Sequence, residues 1–180
     1  MNRQNKPIYE KTIQLLNPSS TDTILDMGCG NGYMLNMLAQ RFEGNSVGLD
    51  LSESAIKSAL KRNKSYVKNG KMRLLHHDLS IMPFEPNTFD KVYTVNTVYF
   101  WNDLKSVMTE VKRVLKPDGI FINTLFSNEM LDSLSFTKFG YKKFTEEQLT
   151  NAGVDVGFEV SVIPIFKGIG YCYIYKNEEE

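Results

Sequence analysis

Apolar and polar positions along this chain alternate between two periods: short apolar runs of strand length, and longer stretches with apolar residues three and four apart. Ile8, Ile13, Leu15 and Leu16 predict a first helix over Pro7–Leu16, which the polar NPSS from Asn17 stops. Thr23–Met27 reads as a buried strand, and Leu35, Leu38 and Phe42 give helical spacing to Gly32–Arg41. Gly44 and Asn45 turn the chain into a second strand, Ser46–Asp50, and Ser52 is placed to cap a helix ending near Asn63. Met72–Leu75 is a third strand, leading to His76, His77 and Asp78. FDKVYTVNTV from Phe89 supplies a fourth, Asp103 caps a helix over Leu104–Leu115, and KPDG at Lys116–Gly119 predicts a tight turn into a fifth strand, Ile120–Leu125.

The last third changes character. Ser127–Lys143 has no clean period and is rich in Phe, Tyr, Met and Leu, whereas FTEEQLTNAGV from Phe144 reads as a capped helix with a glycine stop. Val156–Ile163 and Ile169–Lys176, separated by PIFKG, read as a hairpin. Strand and helix therefore alternate through an α/β chain: an open, doubly wound, mostly parallel sheet with an antiparallel C-terminal edge. In such a sheet ligands bind at the carboxyl ends of the strands.

Composition narrows the picture. A chain of 180 residues suits one domain, 1–180, and Lys plus Arg equals Asp plus Glu at 21 each. With no net charge and no basic run, nucleic acid is not the expected partner. No apolar stretch approaches the roughly 18 to 20 residues that cross a bilayer, so the expectation is a cytoplasmic protein with no membrane contact. Cys29 and Cys172 are too few and too ill-spaced for a disulfide framework or a zinc site. The oligomeric state is left open.

The most informative stretch is TILDMGCGNGYML, Thr23–Leu35, where Gly28, Gly30 and Gly32 recur at every second position between strand and helix. Such a turn lets a ligand approach the backbone and meet the amides of the helix N-terminus. A dinucleotide loop carries its third glycine five residues after the first, and Tyr33 occupies that place here. Three carboxylates accompany the loop. Asp50, ending the second strand, is placed to accept both hydroxyls of a ribose, Asp78 to accept an adenine amine, and Asp26 to serve a cationic group beside the loop.

These residues describe a nucleoside with a cationic tail, and at this point the chain resembles a class I S-adenosylmethionine-dependent methyltransferase of the small, single-domain type. The resemblance rests on ILDMGCGNG (Ile24–Gly32), VGLDLSESAI (Val47–Ile56), HDLSIMPF (His77–Phe84), FDKVYTVNTVYFW (Phe89–Trp101) and EVKRVLKPDGIF (Glu110–Phe121), in the family's order and spacing. It implies a Rossmann-like fold, S-adenosylmethionine as cofactor, S-adenosylhomocysteine as product and a small-molecule methyl acceptor as partner. Residue by residue, it implies that Asp26, Gly28 and Gly30 form the floor beneath the methionine moiety and that Asp50 holds the ribose. Leu51 presses on the adenine, Asp78 and the Leu79 amide read its edge, and Asn96 lies beside the amino-acid part through its carbonyl. Asp118 stands where the family usually has glycine, which affects only the turn.

Tyr99 and Trp101, more than Phe100, are expected to line an acceptor pocket, and 127–143, with Met130, Leu131, Phe136, Phe139 and Tyr141, to cover it as a lid. The N-terminal helix within 1–20, through Tyr9, is expected to close over the cofactor. Packing is the competing role for each. Cys29 has no basic partner to make it a nucleophile, and His76 and His77 point to opposite faces of a strand, so no metal site is expected. No residue qualifies as a catalytic base. The acceptor is expected to be small and partly apolar or aromatic, because the NPPY-type signature of enzymes that methylate planar amines in nucleic acid is absent. The alternatives are a non-catalytic S-adenosylmethionine-binding module and an NAD(P)-dependent oxidoreductase.

Overall fold

Seven strands make one sheet: β1 (Thr23–Met27), β2 (Asn45–Asp50), β3 (Met72–His76), β4 (Phe89–Val95), β5 (Leu115–Phe126), β6 (Phe158–Ile165) and β7 (Gly170–Asn177). Their spatial order is β3-β2-β1-β4-β5-β7-β6. The computed structural model describes residues 2–137 and 139–177; the side chains of residues 2–4 and Phe136, and the tail 178–180, lie outside the described residues. β1 pairs in parallel with β2 on one side and β4 on the other, so successive strands are added leftward from β1 to β3 and then rightward from β4. That switch point opens a crevice at the strands' carboxyl ends.

The helices are α1 (Asn2–Leu16), α2 (Tyr33–Ala39), α3 (Glu53–Arg62), α4 (Lys64–Lys68), α5 (Leu104–Val114), α6 (Asn128–Ser133) and α7 (Glu146–Val154). Successive strand residues supply opposite faces of the sheet. Leu25, Val92 and Phe121 pack with Val107, Val111 and Leu149 of α5 and α7. Their neighbours Ile24, Tyr93 and Ile122 pack with Ile8, Leu16 and Leu38 of α1 and α2. α1 is pinned to the sheet by the buried Thr12 hydroxyl, 2.8 Å from that of Thr124. Among the described residues no helix is long and apolar enough to cross a membrane.

Several elements depart from the sequence reading, each for a local reason. α1 begins at Asn2 and continues across Pro7, forgoing one amide bond. β4 ends at Val95, because Asn96 turns left-handed at φ 56 and a short 3-10 turn over Val98–Phe100 follows. KPDG is not a free turn: it is an excursion within β5, between the Phe89–Leu115 and Lys91–Ile120 pairs. Gly153 does not stop α7 but sits inside it, where a Cβ would come within 2.5 Å of the Tyr175 ring. The antiparallel element is also finer than an edge hairpin. β7 is inserted between β5 and β6, antiparallel to both, so the edge strand β6 runs with the parallel set.

One ion pair ties the fold to the site. Arg113 and Glu110 of α5 are bonded at 2.7 Å, and together they hold the loop after Asp78, Glu110 accepting the Met82 amide at 2.7 Å and Arg113 donating to the Met82 carbonyl at 2.9 Å. The core dictates a stability difference. Leu25→Ala, at a fully buried position, lowers unfolding free energy by about 2–5 kcal/mol. Val154→Ala, at 55% exposure, changes it by less than about 0.5 kcal/mol; urea denaturation of both variants checks the contrast.

Candidate active site

The glycine loop is shaped by what its amides must reach. The amides of Gly28 and Cys29 both donate to the Leu49 carbonyl, at 2.8 and 2.9 Å, and the Gly30 amide donates to Asp50 Oδ2 at 2.8 Å. Three consecutive N–H groups turned toward one strand end need left-handed backbone, found at Gly28 (φ 76) and Gly30 (φ 53). The Gly32 amide closes back on the Cys29 carbonyl at 2.9 Å. These loop amides are therefore spent inside the protein, and the Tyr33 amide that starts α2 lies 3.3 Å from Asn31 Oδ1.

The other oxygen of Asp50 accepts the Ser52 amide at 2.8 Å, and the Ser52 hydroxyl accepts the Ala55 amide at 3.2 Å to cap α3. Each carboxylate oxygen keeps capacity for a further donor. At Gly28 a Cβ would collide with Thr97 at 2.5 Å, whereas around Gly30 nothing lies within 4 Å. The loop thus presses on the β4 end at one glycine and leaves an open cradle at the next.

Asp26 is buried in β1 and accepts the hydroxyl of Tyr93, its register partner on β4, at 2.9 Å. Burial pushes its carboxyl pKa up to about 8, the Tyr93 hydrogen bond opposes the shift and the Asp50 charge adds to it. Asp78 is exposed, and its Oδ1 accepts both the amide and the hydroxyl of Ser80 at 2.8 Å, which holds its carboxyl below the usual range. His76 Nε2 lies 2.8 Å from the Leu51 carbonyl and so positions a leucine left 66% exposed. His77 Nδ1 is 3.3 Å from the Asp78 carbonyl. Cys29 packs its sulfur where a Gly48 Cβ would stand, and burial raises its thiol pKa, which leaves it inert as a nucleophile.

All eight residues expected at the cofactor, Asp26, Gly28, Gly30, Asp50, Leu51, Asp78, Leu79 and Asn96, line one cavity of about 1300 Å³. That exceeds the roughly 300–1,000 Å³ of a pocket for one small molecule. Its second half lies beyond the β4 and β5 ends. The Tyr99, Phe100 and Tyr141 rings meet there, with centroids 4.8 to 6.3 Å apart. Tyr99 and Trp101 line the cavity but are 1% and 4% exposed, and the Tyr99 hydroxyl is committed to Asn96 Oδ1 at 3.1 Å and the Phe126 amide at 2.7 Å. Phe100, ranked behind them by the sequence, is the ring left 54% exposed. Met130, Leu131, Leu134 and Tyr141 of the 127–143 segment and Ile8 and Tyr9 of α1 complete this wall. Asn96 Nδ2 and Trp101 Nε1 are buried without a partner, the kind of donor a bound molecule satisfies.

Sequence reasoning missed three supports. Tyr93 was findable once β1 and β4 are taken as neighbours, because it then falls opposite Asp26. Thr97 and Asn63 carry no local signal. Asn63, fully buried at the end of α3, donates to the Gly32 carbonyl at 3.0 Å and accepts from Asn36 Nδ2 at 3.0 Å, locking the loop to the helices on either side.

Comparison with known proteins agrees with this geometry. A family model for a methyltransferase domain matches residues 25–123. The mouse mitochondrial arginine-hydroxylase NDUFAF5 is 33% identical over 110 residues, covering 61% of this chain and 30% of that protein. Sterol 24-C-methyltransferase ERG6 of Saccharomyces cerevisiae is 33% identical over 142 residues, 78% of this chain and 36% of that one. The chain spans about a third of the length of these curated relatives. A geranyl diphosphate methyltransferase solved with S-adenosylmethionine shares the fold at a TM-score of 0.84, over 98% of this chain and 87% of its own, with 17% identity. The chain belongs to the class I S-adenosylmethionine-dependent methyltransferase domain family.

Proposed function

We propose that this chain binds S-adenosylmethionine and transfers its methyl group to a small, partly apolar or aromatic acceptor. The observation that carries the reading is the convergence of Asp26, Asp50 and Asp78, from the ends of three adjacent strands, on one cavity with an open cradle at Gly30. A cationic nucleoside suits that set of acceptors, and a pyrophosphate does not, since these three carboxylates line the cavity and no described cation does. The residues fit the cofactor in detail. Asp50 would accept the ribose hydroxyls, Leu51 would cover the adenine face, Asp78 and the Leu79 amide would bind its edge, and Asp26 would face the ammonium. Gly28 and Gly30 would form the floor under the methionine part, with Asn96 beside it.

Bound there, S-adenosylmethionine would supply an activated sulfonium methyl for transfer to the acceptor, with S-adenosylhomocysteine as the product. The protein's part is positioning and exclusion of water. Phe100, Tyr141 and the 127–143 segment wall off the acceptor end, and that segment and α1 act as the cover. Among the described residues no side chain at this end is poised as a base: the Tyr99 hydroxyl is bonded on both sides and burial raises its pKa. The sterol named in the yeast relative supports an apolar acceptor.

Calorimetric titration with S-adenosylmethionine, S-adenosylhomocysteine and NADH tests the reading: the two adenosyl ligands bind and NADH does not, and NADH binding alone overturns it. Asp50→Ala weakens S-adenosylmethionine binding about tenfold to a hundredfold, since charge-assisted hydrogen bonds and the Gly30 clamp are lost together. Asp50→Asn, which keeps one acceptor oxygen, loses less.

The raised Asp26 pKa has a sign that calorimetry reads. Below pH 8 the empty site holds Asp26 largely protonated, and an ammonium beside it favours the carboxylate, so binding releases a proton. Affinity therefore rises between pH 6 and about 8, by up to about tenfold per unit, and falls once the ligand's amino group deprotonates, at roughly 7.7 to 8.0. Asp26→Asn loses the rising limb, and with it the proton release seen when buffers of different ionisation enthalpy are compared.

A further inference from the structure

The cavity wall carries charge of one sign. Asp26, Asp50, Asp78 and Asp103 line it, and among the described lining residues there is no Lys, Arg or His. Three of these carboxylates belong to the cofactor half. Asp103 sits at the rim, capping α5 through the Lys105 amide at 3.0 Å and the Ser106 hydroxyl. Beside the other half, Lys142 Nζ donates to the Trp101 and Asn102 carbonyls at 2.8 and 3.1 Å, Lys143 pairs with Asp132, and Lys167 follows Phe166 on the β6–β7 corner without lining the cavity. The loop amides of Gly28, Cys29 and Gly30 point into β2.

What this half does offer is apolar surface that the fold leaves uncovered. Phe100 is 54% exposed, Phe166 42% and Ile169 44%, and all three line the cavity beside Met130, Leu131 and Leu134. They are one wall rather than scattered residues. The Ile169 carbonyl accepts the Ser127 amide at 2.9 Å, which brings the β6–β7 corner against the end of β5, and Tyr99 joins that end to the Phe100 and Tyr141 rings. The corner holds its shape through left-handed backbone at Phe166 (φ 50) and Lys167 (φ 58), conformations that side chains other than glycine rarely adopt. Keeping a phenylalanine there presents its ring to the cavity.

We infer that the half of the cavity walled by Phe100, Met130, Phe166 and Ile169 is an acceptor chamber for an uncharged apolar molecule and rejects anionic acceptors such as carboxylates and phosphate esters. An anion entering it would lose hydration and find no described cation in the wall, only the neutral donors Asn96 Nδ2 and Trp101 Nε1 among hydrocarbon. An uncharged apolar molecule covers the exposed rings and meets no unpaired charge. The inference rests on the proposed function for the word acceptor, while the charge selection rests on the cavity alone.

The test uses two fluorescent probes with one ring skeleton, neutral N-phenyl-1-naphthylamine and its sulfonate 1-anilinonaphthalene-8-sulfonate, titrated into the whole chain with and without S-adenosylhomocysteine. The neutral probe binds at least tenfold tighter than the sulfonate in both states. Phe100→Ala and Phe166→Ala, both at exposed positions, each weaken the neutral probe several-fold and leave S-adenosylhomocysteine affinity within about twofold. Phe100→Lys narrows or reverses the preference by drawing in the sulfonate. Equal or tighter binding of the sulfonate, no binding of the neutral probe, or indifference to all three substitutions overturns the inference. Failure of S-adenosylhomocysteine to bind, with the probe preference intact, instead overturns the proposed function and leaves the charge selection standing.

Discussion

Two consecutive residues at the end of β2 capture three consecutive amides of the glycine loop, and the site follows from that arrangement. The Leu49 carbonyl takes Gly28 and Cys29, and the Asp50 carboxylate takes Gly30. Turning those N–H groups to one side requires left-handed backbone at 28 and 30, which explains glycine at alternate positions rather than in the longer dinucleotide spacing. It also fixes what the loop can do. A loop whose amides already serve its own sheet is a shaped surface rather than an anion trap, and the carboxylate that holds it then stands at the cavity wall to receive donors from outside.

The same economy makes Asp26 a poor structural residue and a suitable ligand contact. Buried with one hydroxyl partner and a second carboxylate nearby, it holds its proton to about pH 8, so its ionised form is disfavoured until a positive charge arrives. A leucine of similar volume would suit the core better. The carboxyl is kept, and Tyr93 is placed opposite to orient it, where a ligand's charge can complete the pair.

Much of this was legible in the sequence because the informative residues are local. Strand, glycine loop and terminal carboxylate recur within short windows, and Thr23–Met27, read as a buried strand, is β1 with four of its five residues buried. The failures came where distant packing decides the outcome. Gly153 read as a helix stop because glycine usually is one, but the Tyr175 ring across the β7 face is what excludes a side chain there. The helical turns within 127–143 escaped the periodicity, since α6 is a single capped segment of 6 residues, too short for an apolar stripe to repeat. Asn63, an unremarkable polar residue at a helix end, becomes a support only when α2 and α3 meet over Gly32.

The two halves of the cavity are therefore built by different means. The cofactor half comes from strand ends and the turns that directly follow them, so each contact is set by sequence neighbours. The acceptor half is assembled from four separated segments, α1, the 98–101 turn, 127–143 and the β6–β7 corner. They are joined by the bonds around Asn96, Tyr99 and Phe126, those of Lys142 to Tyr99, Trp101 and Asn102, and that between Ser127 and Ile169. Changing one of those segments alters the chamber without touching the loop that holds Asp50. A fold arranged this way keeps the motif-bearing strand ends apart from the wall beyond them, which is why the motifs identify the family while the wall is free to differ.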